Sequence, residues 1–205
     1  MIAFDHIAIA ATDLEAGTRA LESALGVPLE PGGKHAQMGT HNRLLSLGPG
    51  EYLELITIDP EGTPPGRPRW FGLDTFQGAP RPQGWVLRTD ALETALDLAP
   101  EGTGSPVLFR RDALSWRFAL PESGVQPFDG IAPPLIEWGA GVPHPSGRLP
   151  DRGVRLTGLT LRHPQADALR AALAPLTADP RLGVEPGPPG IVARFDTPSG
   201  PRVLE

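Results

Sequence analysis

The sequence predicts an α+β fold assembled from a repeated β-α-β-β-β unit, with two full copies followed by a C-terminal partial β-α-β-β copy. Three observations predict it. Residues 4–17, "FDHIAIAATDLEAG", run from an alternating strand through a polar cap into an amphipathic helix, and the same succession restarts at "GWVLRTDALETALDLAPEG" and again at "VRLTGLTLRHPQADALRAALAPL". The restarts recur at about 70 to 80 residues, a period that marks a repeat architecture. Between them lie two stretches dense in Pro and Gly, 61–83 and 141–153, which read as crossovers without regular structure.

The first module, 1–60, opens with a strand over 2–10, with Phe4, His6 and Ala8 on one face and Asp5, Ile7 and Ile9 on the other. Thr12 or Asp13 caps a helix whose apolar stripe is Leu14, Ala20, Leu21, Ala24 and Leu25, and Gly26 ends it. "EPGGKH" reads as a Gly-rich bend, and "HNRLLSLG" and "YLELITI" read as the two strands of a hairpin. The first crossover carries two anchoring aromatics, Trp70 and Phe71. In the second module, 84–140, Asp90 stands where Asp13 stood, Leu92, Ala95 and Leu96 form the helix stripe, "VLFRRDALSWRFAL" gives a hairpin, and "PPLIEWG" gives a short strand with one carboxylate. The partial repeat, 154–205, has a strand, a helix opened by Pro164 in its first turn, and a closing hairpin.

Composition narrows the function. A chain of 205 residues suits one large domain or two small modules sharing a core. Its 26 Pro and 25 Gly make up about a quarter of the chain, but they cluster as punctuation between periodic segments. The formal net charge is −6 and the basic residues are scattered, so no positive stripe is available for nucleic acid. Of the 18 basic residues only Lys34 is lysine. With no cysteine, His, Asp, Glu and Ser must carry any chemistry, and a metal would be held by N and O donors. The N-terminus meets Asp5 too early for a signal peptide, and no apolar run approaches the roughly 18 residues of a membrane span. A cytoplasmic protein is expected.

"FDHIAIAATDLEAG" and "YLELITIDP" resemble the vicinal oxygen chelate superfamily, and "GGKHAQMGTHNRLLSLGPGEYLELI" is similar to its glyoxalase-like branch. The resemblance implies paired βαβββ modules of the glyoxalase and bleomycin-resistance type, whose curved mixed sheets enclose a cleft, and a possible homodimer. It implies metal ligands on the first and last strands of each module. Carried over, these are His6, Glu54 and, in the second module, Glu137. The fourth position falls on Trp85 in "QGWVLRT", which is no ligand and points instead to an apolar cleft wall.

One histidine and two carboxylates would suit Mn²⁺, Fe²⁺, Ni²⁺ or Zn²⁺, with open positions for a substrate bearing neighbouring oxygens. A metal that stabilises an enediolate while a carboxylate shuttles the proton supports isomerase or lyase chemistry. A second histidine, His41 or His35, would turn the set toward a dioxygenase. Glu54, flanked by Leu53 and Leu55, pays heavy desolvation unless paired or coordinated. The candidate catalytic residues are therefore Glu54, Glu137 and His41, with Asn42, Arg43 and Trp85 for substrate. His41 and Asn42 lie on opposite faces of their strand, so at most one of them points into the cleft, and His41 is the expected one. His35 reads as a solvated loop residue, Asp5 as a cap or backbone partner, and Trp116 and Trp138 as packing; His144 and His163, beside prolines, are given no role. Ser46 and Ser115 lack the context of a nucleophile elbow. Two functions compete: a metal-dependent enzyme acting on a small oxygenated molecule, and a metal-free protein that binds or sequesters one.

Overall fold

The computed structural model describes residues 1–205. The first module consists of β1 (Ala3–Ala10), α1 (Leu14–Leu25), β2 (Glu30–His35), β3 (Thr40–Gly48) and β4 (Glu51–Ile58). The second repeats that order with β5 (Arg81–Arg88), α2 (Leu92–Leu96), β6 (Ser105–Arg111), β7 (Leu114–Leu120) and β8 (Leu135–Trp138). Their strands form one eight-stranded sheet in the order β2-β3-β4-β1-β5-β8-β7-β6. In each module the first strand lies parallel to the last, and the modules join where β1 and β5 run antiparallel.

Local sequence explains each element. Asp13 caps α1 by accepting the backbone N–H of Ala16, and Gly26, at φ 73°, closes it in the left-handed region. The "EPGGKH" stretch is a strand rather than a bend: it is an edge strand, irregular between Pro31 and Lys34, where a proline is tolerated because it has no outer neighbour to donate to. Gly32 is needed there, since a Cβ would fall 1.9 Å from Oδ1 of Asn42. Asp90 does not cap α2; its carboxylate pairs with the N-terminal amine, and the Leu92 N–H is taken by Oε1 of Glu137 instead.

The crossovers hold more order than Pro and Gly content predicts. Residues 70–75 form two short turns that meet at a kink at Phe71 and Gly72, with Trp70 and Leu73 buried, and β5 starts at Arg81, inside the expected linker. A 3₁₀ turn, Pro145–Arg148, lies in the later crossover. Buried aromatic surface anchors the first of these segments where backbone pairing does not.

The C-terminal unit contains β9 (Arg155–Arg162), α3 (Ala166–Leu173), β10 (Leu182–Glu185), β11 (Gly190–Thr197) and β12 (Gly200–Leu204). It has one strand more than expected, and its order, β10-β9-β11-β12, differs from that of the modules. Its inner face, including Leu159, Leu161, Ile191 and Phe195, joins Ile7, Ile9, Leu53, Leu55, Trp85 and Leu87 from the large sheet in one core of 29 buried residues. The outer face of the large sheet is thereby covered. The opposite face curls around a second, smaller core rich in aromatics.

Curling brings the two edges of the large sheet together. Gln37, just after β2, donates from Nε2 to the carbonyl of Leu108 on β6 and accepts at Oε1 from the Arg110 N–H. One amide side chain thus bridges two edges that would otherwise expose unpaired backbone. The concave face becomes the wall of a cleft.

Candidate functional site

Strand register decides which side chains enter the cleft. Partners directly opposite in a sheet share a face, and one row of partners runs Ser46, Tyr52, His6, Val86 while the next runs Leu44, Glu54, Ala8, Gly84. His6 and Glu54 therefore stand on neighbouring strands on the same side, with Nε2 of His6 3.6 Å from Oε2 of Glu54. Both are buried, yet both line the cleft. The structure brings these two side chains together.

A β-bulge answers why β1 carries two polar residues in succession. The β1–β5 register shifts between Phe4 and His6, so Asp5 has no partner across the strand, and a bulge re-aims the side chain it carries. Asp5 is fully buried and accepts from His6 Nδ1 at 2.6 Å, from Trp138 Nε1 at 3.0 Å and from His144 Nε2 at 3.0 Å. Burial alone would raise its pKa, but the hydrogen bonds from His144 and His6 outweigh that and hold the carboxyl well below the usual carboxylate range. An ionised Asp5 keeps the His6 proton on Nδ1. The Nε2 atom is left to face Glu54 and the cleft.

Tyr52 stacks on the His6 ring at 4.5 Å and fixes its plane. Burial, reinforced by the charges of Asp5 and Glu54, pushes the Tyr52 phenol well above its ordinary value, so it stays neutral. Glu54 is held on its other oxygen by Asn42, whose Nδ2 donates to Oε1 at 2.6 Å while its Oδ1 accepts from the Gly33 N–H. The 3.6 Å gap between Glu54 and His6 exceeds a hydrogen bond. A substrate atom or water on the cleft side could touch both.

The wall facing this pair is apolar and aromatic. Trp116, Phe118, Ile136 and Trp138 come from the second module, and Trp70 and Phe71 from the first crossover. Phe71 adopts φ 57° to lie across the sheet over Gly84, where an added Cβ would come within 2.5 Å of its ring.

At the rim His35 is buried and not solvated as a loop residue would be; it bonds to Thr40 Oγ1 at 3.1 Å and to Arg111 at 3.0 Å. Burial, with the Arg111 charge adding to it, pushes the His35 imidazole down to about 3, so it is neutral and its Nε2 accepts from Arg111.

Four expected site residues lie elsewhere. Glu137 pairs with Arg117 across β7 and β8 while Trp116 pairs with Trp138, so Glu137 points to the outer face, where it binds the Arg117 guanidinium and caps α2. Trp85 sits opposite Ile7 and points into the outer core, donating from Nε1 to the Ile131 carbonyl; the position across from His6 is Val86. His41 and Arg43 alternate with Asn42 and also face outward, His41 near Asp59 and Arg43 toward Glu15 on α1. Of the hairpin residues, Asn42 faces the cleft.

Several residues with a place in the site were not given one by sequence reasoning: Asp5, read as a cap or backbone partner, Tyr52, Arg111 and His144. The last was given no role because it lies in a Pro-rich loop. Alternation could have marked the aromatic wall, since Trp116 and Phe118, read only as packing and hairpin, recur at period two in "LSWRFAL". No local signal marked Asp5, because a bulge is invisible to a strict period-two reading.

The donor set does not fit a three- or four-ligand divalent centre. His6 Nε2 and Glu54 Oε2 are two donors, but the cleft-facing positions of β5 and β8 are Gly84, Val86, Ile136 and Trp138, and Glu137 is on the far side of the sheet. No three His, Asp or Glu side chains converge in a way that could hold an ion. No helix is long and apolar enough to cross a membrane.

Comparison with known proteins agrees with this architecture. A family model described as "Glyoxalase-like domain" matches residues 4–177. A hypothetical protein from Staphylococcus aureus superposes with a TM-score of 0.66 at 13% identity, covering 93% of this chain and 88% of that one. Two methylmalonyl-CoA epimerases are more distant: that of Streptomyces coelicolor, in complex with 2-nitronate-propionyl-CoA, at a TM-score of 0.47 and 19% identity over 70% of this chain and 98% of that one, and that of Mycobacterium tuberculosis at 0.42 and 20% over 65% and 86%. No curated protein matches the sequence. The family match spans both modules and runs into the C-terminal unit, and the paired βαβββ topology is that of the fold the match describes; the chain belongs to the glyoxalase-like domain family of the vicinal oxygen chelate superfamily.

Proposed function

We infer that the cleft binds a small molecule with a flat, apolar, ring-sized body and acts on it by proton transfer, with Glu54 and His6 as the two proton-handling groups. The observation that carries this reading is the 3.6 Å facing of His6 Nε2 and Glu54 Oε2 at the floor of an aromatic cleft. Each base is oriented from behind, His6 by Asp5 and Glu54 by Asn42, so neither must reorganise as charge develops. A C–H bond beside a carbonyl, held against the cleft side of this pair, would lose its proton to the Glu54 carboxylate, which can pass it to the free Nε2 of His6, and His6 would return that proton to the enolate. The isomerase form of the expected chemistry fits this pair.

Metal-dependent lyase or dioxygenase chemistry finds two side-chain donors where catalytic metal centres use three. No step is therefore drawn through a metal. The binding-protein reading keeps one specific support: the aromatic wall alone could hold a ring by stacking, without any use of the acid–base pair.

Solvent exchange separates the two. Candidate carbonyl compounds with a ring-sized body are incubated with the protein in D₂O, and deuterium incorporation at the adjacent carbon is followed by NMR. Incorporation lost in both Glu54→Gln and His6→Ala, with binding retained, supports the enzyme. Binding without incorporation in the wild type leaves the binding protein.

A further inference from the structure

Arg111 is a cation in the cleft without an anion. Its side chain crosses from the tip of β6 to lie over Gly33 on β2, with Nε 3.1 Å from where a Cβ of that glycine would stand. Its one side-chain partner is the Nε2 of His35, a buried and neutral imidazole. Among the partly buried arginines Arg88 rests on the carbonyls of Phe4 and Gly50, while others meet acids: Arg43 meets Glu15, Arg69 meets Asp74, Arg117 meets Glu137 and Arg181 meets Glu51. Arg111 has none, and it lines the same cleft as His6 and Glu54.

A second unsatisfied donor shares His35 as a neighbour. The indole N–H of Trp70 is buried and has no acceptor in the protein, although buried donors as a rule find one. Trp70 is 4% exposed, lines the cleft, and meets the edge of the His35 ring at 5.2 Å. One end of the cleft therefore gathers a guanidinium and an indole N–H, both lacking an acceptor oxygen. The other end holds the proton-handling pair.

Resting on the function inferred above, we propose that the ligand is a small carboxylic acid, whose carboxylate is received by Arg111 and Trp70 and whose apolar ring lies against Trp116, Phe118 and Trp138. A carboxylate has the acceptor oxygens these two donors lack, and a guanidinium bonds it with a planar fork that a neutral amide matches poorly. His35 acts as a positioning residue: it stays uncharged, so it holds the guanidinium by one N–H without competing with the anion. The carboxylate end is thereby kept away from Glu54, whose own negative charge would repel it.

The test uses phenylacetate and its neutral isostere phenylacetamide as probes, titrated against the full-length protein with tryptophan fluorescence as the signal. The wild type is expected to bind the acid about tenfold or more tightly than the amide, in line with a charge-assisted hydrogen bond. Arg111→Gln is expected to remove that preference by weakening binding of the acid far more than that of the amide, and an unchanged melting temperature shows that the fold is intact. Arg111→Lys, which keeps the charge and loses the fork, is expected to restore part of it. Equal binding of acid and amide by the wild type, or a preference that survives Arg111→Gln, overturns the carboxylate assignment and leaves the cleft reading standing. Failure of the wild type to bind either probe at millimolar concentration overturns both.

Discussion

The Nδ1 of His6 lies 2.6 Å from Oδ1 of Asp5, the residue immediately before it in the chain. Neighbours in a regular strand point to opposite faces, so this contact exists because the register of β1 slips between Phe4 and His6. A local irregularity thus supplies the site with an oriented imidazole. It also buries a carboxylate that three N–H donors keep ionised.

Asp5→Asn tests what that burial is worth. The amide has one acceptor oxygen for donors on His6, Trp138 and His144, and stranded buried donors cost about 1 to 3 kcal/mol each, so a loss of about 2 to 5 kcal/mol is expected in urea unfolding. The pH dependence has a definite sign. A carboxyl whose pKa is depressed by folding contributes stability that is present above its unfolded pKa, about 4, and is lost as pH falls below it. Unfolding curves between pH 3 and 7 should show a steeper acid loss in the wild type than in Asp5→Asn.

His35 governs a different window. Its folded pKa is pushed down to about 3, so the folded state resists a proton that the unfolded chain accepts at about 6.5. Stability from the neutral ring is complete above about 6.5 and falls by up to about 1.4 kcal/mol per pH unit as pH drops toward 3. His35→Gln should flatten the slope of unfolding free energy between pH 6.5 and 4. An unchanged slope would mean that other histidines carry it.

Glu137→Gln should leave the cleft untouched. The carboxylate serves Arg117 and the first N–H of α2 on the outer face, and glutamine keeps an acceptor for the latter. A partly exposed ion pair is worth at most about 1 kcal/mol, so a small shift in melting and unchanged ligand titration are expected. A large loss of ligand binding would show that this face communicates with the site.

Glu54 and Glu137 also show where sequence reading reaches its limit. Both are carboxylates in short apolar strands that close a module, "YLELITI" and "LIEW". The order of the repeats and the Asp13 cap of α1 were readable because each rests on local pattern, whereas the matching Asp90 does not cap α2. Whether a carboxylate shares the face of its module's first strand depends on register, and a slip of one residue sends it to the other side of the sheet. The same slip separates Trp85 from Val86. His35, His144 and Arg111 enter the site through contacts between segments more than 70 residues apart, which no local pattern encodes. The edge strand β2 was hidden for a similar reason, because its glycines answer to close packing, Gly32 against Asn42 and Gly33 against Arg111, and not to a turn.

Val86→His turns the argument about metal into an experiment. Val86 stands directly opposite His6 on the antiparallel neighbour and shares its face, so an imidazole there would join His6 and Glu54 as a third donor. The wild type, with two donors 3.6 Å apart, is expected to bind Ni²⁺ or Zn²⁺ weakly in calorimetric titration. The variant is expected to bind at least about a hundredfold more tightly, since three side-chain ligands are what catalytic centres of this kind require. The added ring overpacks a buried position at a cost of about 1 to 3 kcal/mol, so folding is checked by melting before titration. His6→Ala in the Val86→His background should return the affinity to the wild-type level. Tight metal binding by the wild type itself would contradict the two-donor geometry and restore the metal-dependent reading of the cleft.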